Sequence, residues 1–260
     1  MKISIVMPAY NCSKYIEAAV RSALRQTWTD FELIVIDDCS EDATPEIAAR
    51  LAAEDDRILL LRNERNSGVS ASRNTGTARA RGEWIAFLDS DDLWREDKLE
   101  KQAALIQKHP DAVLCYTASA FMDECGHKST YILEAEDRTT YQGLLRRNLL
   151  SCSSVMVRRD MMLRHPMGGD RMHEDYAAWL LILREAQYAY GLNEPLLTYR
   201  ISRLSKSSGR LRSARMLLAS YRYVGYSLFT SAVLTFRYMF HSISKRRKIM
   251  RSMSERRCRS

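Results

Sequence analysis

The chain opens with a short apolar run, Ile3 to Met7, stopped by Pro8. A run of that length predicts a buried strand. From Tyr15 to Gln26 the apolar residues Ile16, Ala19, Val20, Ala23 and Leu24 recur at helical spacing, so a helix follows. Leu33 to Ile36 is a second strand, closed by Asp37 and Asp38. Thr44 and Pro45 predict a cap and a first-turn proline for a helix running to about Ala53. Residues 58–61 form a third strand, and the Asn66-Ser67-Gly68 turn leads into a helix over 70–80. Residues 84–88 form a fourth strand, ended by Asp89-Ser90-Asp91-Asp92. A helix over 96–108 stops before Pro110, and 112–116 is a fifth strand. This strict alternation predicts parallel βαβ units with helices on both sheet faces.

Beyond residue 120 the alternation weakens. Strands are expected over 128–133 and 154–157, and a helix over 140–147. Residues 175–186 form a helix whose apolar part is Trp179, Leu180, Ile182 and Leu183. A last strand over 188–192 has an extended exit at 195–200. Residues 202–210 read as a polar, basic linker, and 211–243 as helical again.

Charge sharpens this division. The net charge is +8, yet residues 211–260 carry 12 Lys and Arg against one acid, Glu255. The first 210 residues are therefore nearly neutral, and whatever the basicity binds, the tail binds it. Six cysteines without a C-x-x-C pair read as reduced thiols of a cytosolic protein. The N-terminus goes straight into a strand pattern and lacks the apolar core of a signal peptide.

In open α/β sheets, ligands bind beyond the carboxyl ends of the strands. The polar residues there are Tyr10 and Asn11, then Asp37 and Asp38, then 63–67, then Asp89, Asp91 and Asp92. Five carboxylates converging on one edge repel each other unless a cation or hydrogen-bond donors neutralise them. One helix cap needs one Asp, so Asp89-x-Asp91-Asp92 points instead to a divalent cation, Mg²⁺ or Mn²⁺, carrying substrate phosphates. Asp37-Asp38 alone fits a cap equally well. The first glycine is Gly68, which excludes a glycine-rich dinucleotide or P-loop turn after the first strand. It also counts against a nucleotidyltransferase. Nothing in the first 210 residues resembles a nucleic-acid module.

The segments SIVMPAYNCSKYIEAAVRSALRQTWTDFELIVIDDCSEDAT, NSGVSASRNTGTARARGEWIAFLDSDD and HEDYAAWLLILREA resemble family 2 glycosyltransferases in order and spacing, over about residues 2–205. The resemblance implies a GT-A fold: a Rossmann-like, mainly parallel sheet flanked by helices. It implies a domain over 1–205, with a nucleotide-binding part to about 118 and an acceptor-side part over 119–205. The implied reaction is inverting transfer of a sugar from a nucleotide-diphosphate donor to an acceptor hydroxyl, in surface polysaccharide or glycolipid synthesis. Residue by residue, Pro8, Ala9 and Tyr10 resemble the loop against the nucleotide base. Asp38, with Asp37 beside it, matches the acid that hydrogen-bonds the base, and Arg73 resembles a donor-site residue. Asp89 matches the D-x-D acid facing ribose or sugar, and Asp91 the one that holds the metal. Asp175 matches the catalytic base, with Glu174 able to orient the acceptor. Many relatives carry a His shortly after a Tyr-Arg pair, whereas Tyr199-Arg200-Ile201-Ser202-Arg203 has none. Arg200, Arg203 or Lys206 can take its charge.

The tail, 206–260, reads as a basic amphipathic helical segment. Residues 223–243 are apolar but interrupted by Arg237 and His241, and Lys245-Arg246-Arg247-Lys248 follows. That pattern suits an anionic membrane surface better than a spanning helix, and implies a peripheral protein on the inner face of the cytoplasmic membrane. Packing of the tail on the catalytic domain is the competing expectation. A catalytically inactive family member acting in membrane-bound assembly is the competing function.

Overall fold

The computed structural model describes residues 1–201 and 209–240. Four parallel strands form its first half: β1 (Ile3–Ala9), β2 (Phe31–Asp37), β3 (Ile58–Arg62) and β4 (Trp84–Phe87), in the order β3-β2-β1-β4. Every residue of β1 and β2 is buried, because α1 (Ile16–Leu24), α2 (Thr44–Glu54) and α3 (Val69–Arg79) connect the strands over the sheet faces. Alternate side chains feed two cores. Val6, Ile34, Ile36 and Phe87 enter one, and Ile5, Met7, Leu33 and Val35 the other.

Two local expectations need correction. Pro8 does not stop β1, which continues in register to Ala9 beside Asp37. Thr44 is the first residue of α2 rather than its cap, and its hydroxyl instead accepts the Cys12 N–H at 2.8 Å.

The second half mixes strand directions. It comprises β5 (Leu93–Trp94), α4 (Lys98–Lys108), β6 (Leu114–Met122), β7 (Lys128–Leu133), β8 (Arg138–Thr139) and α5 (Tyr141–Arg146). Then come β9 (Met156–Arg158), α6 (Arg159–Arg164), α7 (Glu174–Glu185) and β10 (Ala189–Arg200). β9 inserts antiparallel between β4 and β6, and β10 lies parallel to β6. The expected strand at 188–192 and its extended exit are one strand, with a register shift around Pro195, which has no N–H to give the ladder.

Past residue 205 the packed body continues. α8 (Arg210–Tyr223) buries Met216, Leu217 and Tyr221, and the Tyr221 ring meets Tyr176 of α7 edge-on at 5.9 Å. A further helix covers 228–240. The linker at 202–208, with Arg203 and Lys206, and the basic cluster at 245–248 lie outside the described residues. No described helix is long and apolar enough to cross a membrane.

Candidate active site

The carboxyl ends of β1, β2 and β4 form one edge, and the loops there are tied to each other. Asn11 N–H donates to Ser40 Oγ at 3.0 Å, Ser13 N–H to Asp42 at 3.0 Å, and Glu41 N–H to the Asn11 side chain at 2.9 Å. Asn11 and Cys39 take left-handed φ values of 46° and 63° to make these turns. Pro8 and Ala9 are buried under this edge, while Tyr10 is exposed on it.

Asp37 and Asp38 part company. Asp38 accepts from Asn63 Nδ2 at 2.7 Å, Ser67 N–H at 2.9 Å and Gly68 N–H at 2.8 Å, and so shapes the turn before α3. Asp37 Oδ1 accepts the Ser40 N–H, but its buried Oδ2 has no aligned donor. Arg62 Nε lies 3.3 Å from that oxygen as an ion pair without hydrogen-bond alignment.

Gly68 immediately precedes α3 at φ 87°, and a Cβ there would run into the Asp170 carboxylate. Asp170 accepts the Val69 and Ser70 N–H groups and the Ser70 hydroxyl, satisfying the orphan donors of the helix start. Asn74 on the same helix holds the main chain of Met167 by two hydrogen bonds, 2.9 and 3.0 Å. The loop ahead of α7 is thereby pinned to α3.

Arg73, also on α3, is almost fully buried between two acids. Its Nη2 donates to Asp89 at 2.5 Å and its Nη1 to Glu174 at 3.0 Å. One guanidinium thus joins the D-x-D turn to the start of α7. Asp175 follows Glu174 in the first turn, where its carboxylate accepts the Tyr176 N–H at 2.7 Å. Burial, then the neighbouring Glu174, push Asp175 above the usual carboxylate range, with Arg73 acting the other way.

The Asp89 N–H donates to Ser153 Oγ at 3.0 Å. Asp91 is pushed up to about 6, first by burial and then by Asp89. Asp92 is wholly buried and raised by burial and by Asp91, and its Oδ2 has no aligned donor. Arg200 sits behind this turn. Its N–H donates to Asp92 at 2.8 Å, its Nε to the Asp91 carbonyl at 2.8 Å and its Nη1 to the Asp123 carbonyl at 3.1 Å, and it stacks 4.4 Å from the Tyr15 ring centroid. It is therefore a fixed counter-charge to the acids.

A divalent cation fits this donor set. The groups are hard carboxylate oxygens, they crowd one another, and one buried oxygen lacks an aligned donor. Asp91 is the residue that would hold it, since Asp89 is engaged by Arg73. A separate group, Asp123, Cys125 and His127 on the β6–β7 turn, brings three ligand atoms within 4.8 Å of each other. Tyr10, Asp38, Asp89 and Asp91 thus lie on loops, Asp37 at the end of β2, Arg73 within α3, and Glu174 and Asp175 in the first turn of α7, with Arg73 joining Asp89 to Glu174. Sequence reasoning missed Ser153 and Asp170, whose partners are 64 and about 100 residues away.

Comparison with known proteins converges on one family. The model of glycosyl transferase family 2 matches residues 4–164. A Bacillus subtilis (strain 168) protein described as a teichuronic acid biosynthesis glycosyltransferase, TuaG, is 35% identical over 94% of this chain and 97% of its own length. The Escherichia coli UDP-Glc:alpha-D-GlcNAc-diphosphoundecaprenol beta-1,3-glucosyltransferase WfgD is 34% identical over 82% of each chain. Among solved structures, S. aureus TarS 1-349 in complex with UDP-GlcNAc superposes with a TM-score of 0.72 at 20% identity, over 90% of this chain and 70% of that one.

Proposed function

The chain belongs to glycosyl transferase family 2 and has the GT-A fold, and on that premise we propose that it is an inverting enzyme that moves a sugar from a nucleotide diphosphate to the hydroxyl of a lipid-linked saccharide. The observation that carries this reading is the Arg73 bridge. It ties the acid proposed to face the donor sugar, Asp89, to the segment that presents the proposed base, Asp175.

In this reading the exposed Tyr10 lies against the nucleotide base, with Pro8 and Ala9 buried beneath it as its support. Asp37, whose Oδ2 lacks an aligned donor, is the better acid for the base, because Asp38 is committed to the turn at 63–68. Asp91 would hold Mn²⁺ or Mg²⁺, which when bound neutralises the charge developing on the departing nucleoside diphosphate. Asp175 takes the proton of the acceptor hydroxyl as the new C–O bond forms and the bond to the diphosphate breaks. Its raised affinity for protons suits a general base. Glu174 is held by Arg73, so it positions the segment rather than competing for the proton. A direct displacement inverts the anomeric centre.

The acceptor class rests on WfgD, whose name specifies a diphosphoundecaprenol-linked sugar, and on the basic tail. With a lipid-linked acceptor the enzyme works as a peripheral protein on the inner face of the cytoplasmic membrane. An inactive assembly component is the weaker reading, since the sequence carries Asp38, Asp89, Asp91 and Asp175 together. The test is a screen of nucleotide sugars for consumption with the acceptor. NMR of the product should give the anomeric configuration opposite to the donor. Retention would overturn the direct displacement, and consumption of no donor would favour the inactive component.

A further inference from the structure

The helix over 228–240 is turned inside out. Ser231 and Thr235 face inward and are buried, while Phe229, Val233, Phe236 and Phe240 are exposed at 80%, 44%, 76% and 73%. At 100° per residue these four fall within about 60° of one another, forming a continuous apolar ridge. An exposed ridge of large apolar side chains is the informative exception to ordinary surface composition and marks a contact.

The position of the ridge gives it meaning. Tyr238, on the inner side of the same helix, packs at 5.7 Å against the ring of Tyr176, the residue after Asp175. The ridge therefore faces away from a helix whose opposite side braces the start of α7. The surrounding charge selects the occupant. Arg222 and Arg237 are exposed nearby, and residues 241–260 add eight Lys and Arg against Glu255. Two copies of so basic a chain repel each other, whereas an anionic lipid surface takes both an apolar ridge and positive charge.

We infer that Phe229, Val233, Phe236 and Phe240 are the membrane-docking face of this enzyme, inserting side by side into the interface of an anionic bilayer and holding the acceptor side of the site at headgroup level. This rests on the reading of the acceptor as lipid-linked, but vesicle binding is measured without any acceptor, and donor hydrolysis in solution reports on the site separately.

The test uses the full chain and its Phe229→Ser/Phe236→Ser variant. Each is co-sedimented with vesicles of phosphatidylglycerol mixed with phosphatidylcholine, and of phosphatidylcholine alone. The wild type is expected to bind the anionic vesicles and the variant to bind at least about tenfold more weakly, with donor hydrolysis unchanged. A Phe236→Trp chain should show blue-shifted emission on those vesicles, which covers a misfolded double variant. Equal binding by wild type and variant, binding by neither, or unshifted emission from the Phe236→Trp chain would overturn the inference. So would a wild-type dimer that the variant converts to a monomer, which would assign the ridge to a second copy.

Discussion

Arg73 Nη1 donates to Glu174 Oε1 at 3.0 Å, across 101 residues of chain, with both side chains almost wholly buried. The same guanidinium holds Asp89, so Arg73→Ala leaves two crowded acids without their shared cation. Loss of one partner from such a network costs about 3–5 kcal/mol. Denaturant unfolding should show that loss, and transfer should fall with it. A variant of wild-type stability and activity would mean that the bridge is incidental.

Asp175→Asn keeps the size of the side chain but cannot take the acceptor proton. Donor binding should survive while turnover falls about 10²-fold or more, the usual scale for a lost general base. Binding by calorimetry and turnover by nucleoside diphosphate release separate the two effects. Near-normal turnover would move the base to another group.

Lys98 is fully buried, 4.0 Å from the Trp94 ring centroid and donating to Gln102 Oε1 at 2.6 Å. Burial lowers it from 10.5 to about 7, against the ring contact, which favours the charged form. The unfolded lysine keeps its proton up to about pH 10.5 and the folded one releases it near 7. The unfolded state therefore binds more protons between those values, and stability rises with pH across that window. The stability advantage of Lys98→Met should accordingly shrink from pH 7 upward, by at most about 1.4 kcal/mol per pH unit. Parallel urea titrations of the two proteins at several pH values measure it, because the other groups cancel in the difference. A gap independent of pH would show that Lys98 stays charged.

Tyr221 of α8 is fully buried, and its hydroxyl lies 3.1 Å from that of Tyr176. Tyr221→Ala should cost about 3–5 kcal/mol. Removal of everything past residue 209 should cost more, because it strips the cover from α7. Thermal unfolding of both variants checks this. An unaltered midpoint would mean that the body is complete before α8.

How much of this was legible depended on where partners come from. β1, β2 and β4 read clearly because strands buried on both faces are continuous apolar runs. The D-x-D turn stood out because three acids exceed what one helix cap needs. β5 and β8, at two residues each, carry no period, and the antiparallel β9 between β4 and β6 is set by pairing alone. Asp38 was legible as an edge acid, but its commitment to Gly68 and Ser67 was not. The residues at 228–240 looked amphipathic, but periodicity does not say which face turns inward, and Ser231 and Thr235 took the inside.

The most direct test of the central claim is nucleoside diphosphate release from nucleotide sugars, titrated with Mn²⁺ or Mg²⁺, for the wild type and Asp91→Ala. Release should rise with metal in the wild type, be abolished by chelation, and fall about 10²-fold or more in the variant, together with the metal-dependent part of donor binding. Donor binding and turnover by Asp91→Ala with unchanged metal dependence would contradict that claim.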